Sequence, residues 1–244
     1  MGEMGVGTPT IVLVHGAFAD SSSWNGMLDP LTAGGHRVVA FANPLRGPAH
    51  DAALLTDLLR TLDGPVVLVG HSYGGAVMTG VDAGAADVAA LVFVAGFALE
   101  PGESVRDAST LVPGSTLAGT LRRVPLTGGG TDVVIAPDRY HDQFCADLAA
   151  DVAARMAITQ RPIAEAALVE PHGDRALWRS VPSWFVFGEL DRIIPAGAHR
   201  IMAARAGARR GIEIAGASHV VGLSYASETA DLVLEAVAER GLRS

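Results

Sequence analysis

Three side chains in this sequence have the types and the setting for acyl chemistry: Ser72, Asp191 and His219. A serine hydroxyl is a weak nucleophile until a base takes its proton, and a histidine base works only when an acid fixes its tautomer. Ser72 is the centre of Gly70-His71-Ser72-Tyr73-Gly74, which follows the apolar run Val66-Val67-Leu68-Val69 and leads into Gly75-Ala76-Val77. The run before it reads as a buried strand and the residues after it as a helix. A serine at that junction sits on a tight, strained turn that pushes its hydroxyl out of the sheet edge. The glycines at 70 and 74 allow neighbouring backbone to come close. This context distinguishes the motif from a chance G-x-S-x-G in a chain with 29 glycines.

Of the eight histidines, His219 has the right setting, on a loop after Ile212-Glu213-Ile214 and Ala215-Gly216-Ala217-Ser218. His71 adjoins the serine but points away from it. His15 ends a strand and reads as a buttress, and the others, His199 among them, read as surface or packing residues. Asp191, leaving the strand that ends Phe187-Gly188, is the expected acid, with Glu189 as the alternative two residues earlier. Asp191 could instead pair with Arg192 or cap the following helix. Acyl transfer also needs backbone N–H donors for the oxyanion. The expected donors are Tyr73, directly after the nucleophile, and Ala17 in His15-Gly16-Ala17-Phe18, with Phe18 lining the site.

The elements that must position these residues alternate along the chain. Strands are predicted at 10–14, 37–41, 66–69, 91–95, 184–187 and 212–214, with helices at 21–31, 54–62, through Gly75-Ala76-Val77 after Ser72, 196–205 and 228–240. Continuous apolar strands alternating with helices imply an α/β fold, with a mostly parallel six-stranded sheet and helices on both faces. The alternation fails between Glu100 and Arg179. A helical stripe of Tyr140, Phe144, Leu148, Val152 and Met156 lies there, with a shorter helix at 162–169 and only a weak strand at 132–136. A stretch this long is not a simple loop. The expected organisation is therefore a core of residues 1–99 and 180–244, with a helical cap, 100–179, inserted after the fourth strand. Phe144 and Leu148 on the cap face are expected to line a substrate pocket.

Composition narrows the partners. A net charge of −8 argues against nucleic acid and anionic membrane. The single cysteine, Cys145, excludes an internal disulfide. Residues 1–8 lack the basic start and apolar core of a secretory signal, so a cytoplasmic location is expected. No apolar run is long enough to span a bilayer.

Taken together, His15-Gly16-Ala17-Phe18, Gly70 to Gly74, Gly188-Glu189-Leu190-Asp191 and Gly216-Ala217-Ser218-His219 make the chain resemble the α/β-hydrolase superfamily along nearly its whole length. Within that superfamily it is similar to bacterial serine esterases related to plant methyl esterases and hydroxynitrile lyases. The order serine, acid, histidine along the chain is the one this fold uses. The resemblance implies Ser72 as nucleophile, His219 as base, Asp191 as acid, Ala17 and Tyr73 as oxyanion donors, and no cofactor or metal. The expected reaction is hydrolysis of a small to medium uncharged carboxylic ester through an acyl-enzyme. Alternatives on the same scaffold are a lyase, a perhydrolase or a non-catalytic ligand-binding receptor. Cyanohydrin cleavage needs a cation beside the triad, and the sequence has no lysine. Two antiparallel strands common at the start of this fold have no room here, since about nine residues precede the first strand.

Overall fold

A computed structural model describes residues 8–241. The expectation about a signal at residues 1–8 falls almost wholly outside them. The central sheet has six strands: β1 (Thr10–Val14), β2 (Val38–Phe41), β3 (Pro65–His71), β4 (Asp87–Val94), and, after the insertion, two more at Ser183–Gly188 and Arg210–Ile214. Between β4 and Ser183 lie three further strands, β5 (Leu121–Pro125), β6 (Thr131–Ile135) and β7 (Ile163–Ala164), so the last two core strands are β8 and β9. The sheet order is β2-β1-β3-β4-β8-β9, and every neighbouring pair is parallel.

Burial follows position in that order. Each central strand carries an unbroken, buried apolar run: Ile11–Val14, Val66–Val69, Leu91–Val94 and Trp184–Phe187. The edge strands β2 and β9 mix half-buried and exposed residues. Phe93 and Phe185 are register partners on β4 and β8, and their rings stack at 4.4 Å. Such a cross-strand aromatic pair strengthens the sheet beyond the area it buries. Helices cover both faces. On one, α1 (Asn25–Ala33) packs on the last helix, α9 (Ala226–Gly241), which also lies against β4 and β8; elsewhere α2 (Pro48–Leu59) packs on α3 (Tyr73–Thr79), which lies against β3 and β1.

In this order the chain adds β2 on one side of β1 and then returns to place β3 on the other. The topological switch therefore falls between β1 and β3, where a crevice opens at the carboxyl ends of the strands. The Gly16–Phe18 loop leaves β1 there, and Ser72 leaves β3 there. The backbones crowd at this point. A Cβ on Gly74 would sit well inside contact distance of the Val14 carbonyl oxygen, and one on Gly16 would lie 2.7 Å from the Ser72 Cβ.

The insertion between β4 and β8 is not all helical. It holds α4 (Val105–Ser109), α5 (Pro137–Phe144) and α6 (Ala150–Thr159), but also the three-stranded antiparallel sheet β5-β6-β7. The weak strand expected at 132–136 is β6. Its partner β5 has no sequence signal, because Arg122, Arg123 and Val124 are exposed and Pro125 ends it. Where a helix is predicted at 162–169, the chain forms the two residues of β7 and a 3-10 turn at Glu165–Leu168. The predicted continuous stripe is interrupted as well. Residues 145–149 break it, so Phe144 ends α5 while Val152 lies on α6, and the two do not share one helical face.

The crowding at Gly74 makes a direct test. Gly74→Ala is expected to lower unfolding stability by more than about 3 kcal/mol, since the obstructing atom is backbone and cannot rotate away. Gly211→Ala on the edge strand β9, where a Cβ meets open space, is expected to change it by less than about 0.5 kcal/mol. Urea-denaturation midpoints for the two variants check this, and equal midpoints would contradict the packing described.

Candidate active site

Ser72 is the residue between β3 and α3, with φ 52° and ψ −122°. Positive φ is unfavourable for a residue with a Cβ and persists only where surrounding structure enforces it. Here the Ser72 N–H donates to the Val94 carbonyl, and the Ser72 carbonyl accepts from the N–H groups of Gly75 and Phe97 at 2.9 and 3.1 Å. The next residue, Tyr73, begins α3, and the N–H groups of a helix's first turn have no partner within the helix. The Tyr73 side chain is buried and its hydroxyl donates to Asp51 Oδ2 at 2.9 Å. Burial, then the Asp51 charge, hold that phenol far above its ordinary range, so it stays protonated.

Asp191 and His219 leave β8 and β9 at the same sheet edge. His219 Nδ1 donates to Asp191 Oδ2 at 2.6 Å, and both side chains are fully buried. His219 Nε2 is buried and has no hydrogen-bond partner among the described residues, so the bond to Ser72 is not made in this structure. A proton fixed on Nδ1 and a lone pair left on Nε2 is the tautomer a general base requires. The second carboxylate oxygen, Asp191 Oδ1, accepts from the Ile193 and Ile194 N–H groups at 2.8 and 2.9 Å. The local cap and the histidine contact thus occur together on one carboxylate. Glu189 lies apart, its carboxylate accepting from the Gly216 N–H at 2.9 Å. Burial alone would raise the Asp191 pKa. The neighbouring His219 and His199 outweigh it and hold the carboxyl below its ordinary value.

His199 is the residue that sequence reading missed. It lies on α7 (Ala196–Arg205), fully buried, with Nε2 3.3 Å from Asp191 Oδ2 and its ring stacked on Phe187 at 4.8 Å. Its only signal in the sequence is a position eight residues after Asp191, on a helix that follows the Asp191 turn. His71 has a similar structural duty, with Nε2 3.2 Å from the His219 carbonyl. His15 is pinned on both sides of its ring. Nε2 accepts from the Asn43 N–H at 3.0 Å, which leaves Nδ1 to donate to the Gly16 carbonyl at 2.9 Å.

Ser72, Tyr73, Ala17 and Phe18 line one cavity of about 240 Å³, together with Phe97, Val105, Leu117, Leu168 and Ile193. Phe144 and Leu148 do not line it, contrary to the expectation for the cap face. Phe144 is buried behind the site, its ring 5.4 Å from that of His219 and 6.2 Å from that of His71. Leu148 is half-buried, and its carbonyl lies 2.9 Å from His141 Nε2. The insertion reaches the site by hydrogen bonds instead. Tyr140 donates to the Phe18 carbonyl at 2.7 Å, and Gln143 to the Arg192 carbonyl at 2.9 Å. Asp147 accepts from the N–H and the hydroxyl of Ser218. Among the described residues no cluster of three or more His, Cys, Asp or Glu side chains is placed to hold a metal ion, and no helix is long and apolar enough to cross a membrane.

Comparison with known proteins follows the same lines. A family model described as "Alpha/beta hydrolase family" matches residues 11–232, and the chain belongs to that family. Polyneuridine aldehyde esterase superposes with a TM-score of 0.77 at 19% identity, covering 94% of this chain and 99% of that one. A methylesterase from Arabidopsis gives 0.75 at 17% identity, covering 94% and 99%. A pyrethroid hydrolase from Sphingobium faniae gives 0.73 at 18% identity, covering 94% and 97%. No curated protein sequence matches the chain.

The buried histidines make stability sensitive to acid. Burial, reinforced by His219, lowers the His71 pKa to about 3, and burial lowers those of His15 and His199. An unfolded histidine takes up a proton as the pH falls below about 6.5. These three do so only at lower pH, so the unfolded state binds more protons and stability falls with pH. Between pH 6.5 and pH 5, His71 alone is expected to cost about 2 kcal/mol. Asp191 stays ionised throughout that window and contributes no slope there. Urea midpoints at pH 7, 6 and 5 are expected to decline steadily, and a flat profile would contradict neutral burial.

Proposed function

We propose that this chain is a serine hydrolase that cleaves small to medium carboxylic esters through an acyl-enzyme. The observation that carries the proposal is the 2.6 Å bond from His219 Nδ1 to Asp191, which leaves Nε2 unpartnered at the sheet edge from which Ser72 emerges. In this reading Ser72 Oγ attacks the ester carbonyl and His219 Nε2 takes its proton. The N–H groups of Tyr73 and Ala17 hold the oxyanion, a contribution worth a few kcal/mol per donor. His219 then returns the proton to the departing alcohol. Water, activated by the same base, releases the acid and restores Ser72. Asp191 holds the tautomer and stabilises the imidazolium, with His199 and two backbone N–H groups keeping the carboxylate in place.

The mainly apolar cavity supports an uncharged reacting group of modest size, since about 240 Å³ is below the range for drug-sized ligands. The esterase, methylesterase and hydrolase names of the structural neighbours favour ester cleavage over the lyase and receptor alternatives. The core at 1–99 and 180–244 and the cap at 100–179 remain the proposed division of labour, with Phe144 supporting the His219 side rather than the pocket.

Ser72→Ala is expected to keep the wild-type fold by circular dichroism and to lose at least about a thousandfold in kcat/KM on 4-nitrophenyl butyrate. It is also expected to lose labelling by a fluorophosphonate probe. Asp191→Asn is expected to lose orders of magnitude in turnover, while Glu189→Gln stays within a few-fold of wild type. A Ser72→Ala enzyme that keeps a substantial share of turnover would overturn the mechanism, and the reverse ranking of the two acidic variants would move the acid role to Glu189.

A further inference from the structure

Arg106, on α4, is the only charged side chain lining the Ser72 cavity among the described residues. It also lines a neighbouring cavity of about 580 Å³ under the β5-β6 hairpin, and so stands where the two spaces adjoin. Three arginines and two carboxylates line that second space: Arg46, Arg106, Arg123, Asp132 and Glu165. Arg46 grips Asp132 with two bonds of 2.8 and 3.2 Å. Arg123 bonds Glu165 at 2.9 and 2.5 Å. Two positive charges are thereby cancelled, and that of Arg106 is left over. Its guanidinium makes no hydrogen bond or ion pair with any described residue. The adjacent Asp107 is committed to Ser104, accepting its N–H at 2.9 Å and its hydroxyl at 2.6 Å, so it reaches Arg106 only through space.

An arginine that lines both an apolar pocket and the space beside it, with its charge unpaired in a chain of net charge −8, can receive an anion. Its planar fork matches a carboxylate, which it can take through two parallel bonds. One uncompensated charge suits a monoanion. A dianion such as a phosphate monoester would be only half compensated by it. We infer that the substrates are half-esters, molecules with an uncharged ester at Ser72, an apolar body in the cavity and an ionised carboxylate at Arg106. This inference rests on the esterase reading and replaces the uncharged ester expected from sequence with a monoanionic one. Positions 46, 106 and 123 form no basic cluster along the chain, and only the fold assembles them.

The test compares monomethyl adipate with dimethyl adipate, which have the same chain length and the same methyl ester, by initial rates of methanol release per ester group. The wild-type enzyme is expected to prefer the monoester about fivefold in kcat/KM, mainly through KM, as a partly exposed charge pair allows. In Arg106→Gln the ratio is expected to fall to about one, and Arg106→Lys is expected to retain part of it. In the wild type the preference is expected to fade as sodium chloride is raised toward 0.5 M, because salt screens an exposed pair. The salt titration needs no variant and so decides the matter even if Arg106→Gln folds poorly. Turnover of the diester with no preference for the monoester, or a preference that survives either Arg106→Gln or high salt, would overturn the carboxylate site and leave the esterase reading intact. If neither ester is cleaved and Ser72 resists the fluorophosphonate probe, the esterase reading fails and the carboxylate site fails with it.

Discussion

The close meeting of backbones at the carboxyl ends of β1 and β3 is the constraint on which the rest of the structure depends. Ser72 keeps a φ of 52° because its flanking strand and helix have no room to relax. A Cβ on Gly70 would lie 2.8 Å from the Gly74 carbonyl, and one on Gly75 would lie 2.7 Å from the Phe97 backbone. Only a chain with small residues at 16, 70, 74 and 75 can bring the β1 loop, the β3–α3 turn and the β4 loop together this tightly. The same crowding holds Ala17, Tyr73 and Ser72 around one cavity. A strained turn is thus imposed by packing that the strands around it make rigid.

The second constraint is electrostatic. A carboxylate buried as deeply as that of Asp191 is costly unless donors replace the water it has lost. Four of them do: two backbone N–H groups on Oδ1, and His219 and His199 on Oδ2. Burial keeps His199, and His71 nearby, neutral, so neither brings a positive charge to the carboxylate. Any positive charge that forms on His219 therefore meets an intact partner. The arrangement trades stability in mild acid for a carboxylate that stays ionised.

The sequence made legible what local chemistry determines. Unbroken runs such as Val66–Val69 mark central strands because both sheet faces are covered, and the predicted helix at 196–205 is α7 to the residue. Ser72, Asp191 and His219 could be picked out because each follows a strand in the order this fold uses. What depends on distant packing could not be read. Exposed Arg122 and Arg123 hide β5, which exists only because Val133 and Ile135 of β6 are buried on the core. The stripe from Tyr140 to Met156 has helical spacing, but nothing in its periodicity shows the break at 145–149. His199 resembles an ordinary helix residue until α7 turns it under Asp191.

That break in the stripe also decides how the insertion meets the core. An unbroken amphipathic helix would lay one apolar face over the cavity and could lift away as a unit. Here α5 and the turn after it are tied down by polar bonds instead, and each lands beside a residue of the candidate site. Tyr140 holds the carbonyl of Phe18, next to Ala17; Gln143 holds that of Arg192, next to Asp191; and Asp147 holds Ser218, next to His219. Phe144 fills the space between them, against the His71 and His219 rings. Raising this segment would break all of these bonds and uncover those rings, so it cannot open without loosening the loops that carry the site. The cavity lined by Ser72 lies instead against the other side of the insertion, where α4 borders it and Arg106 also lines the space beside the hairpin.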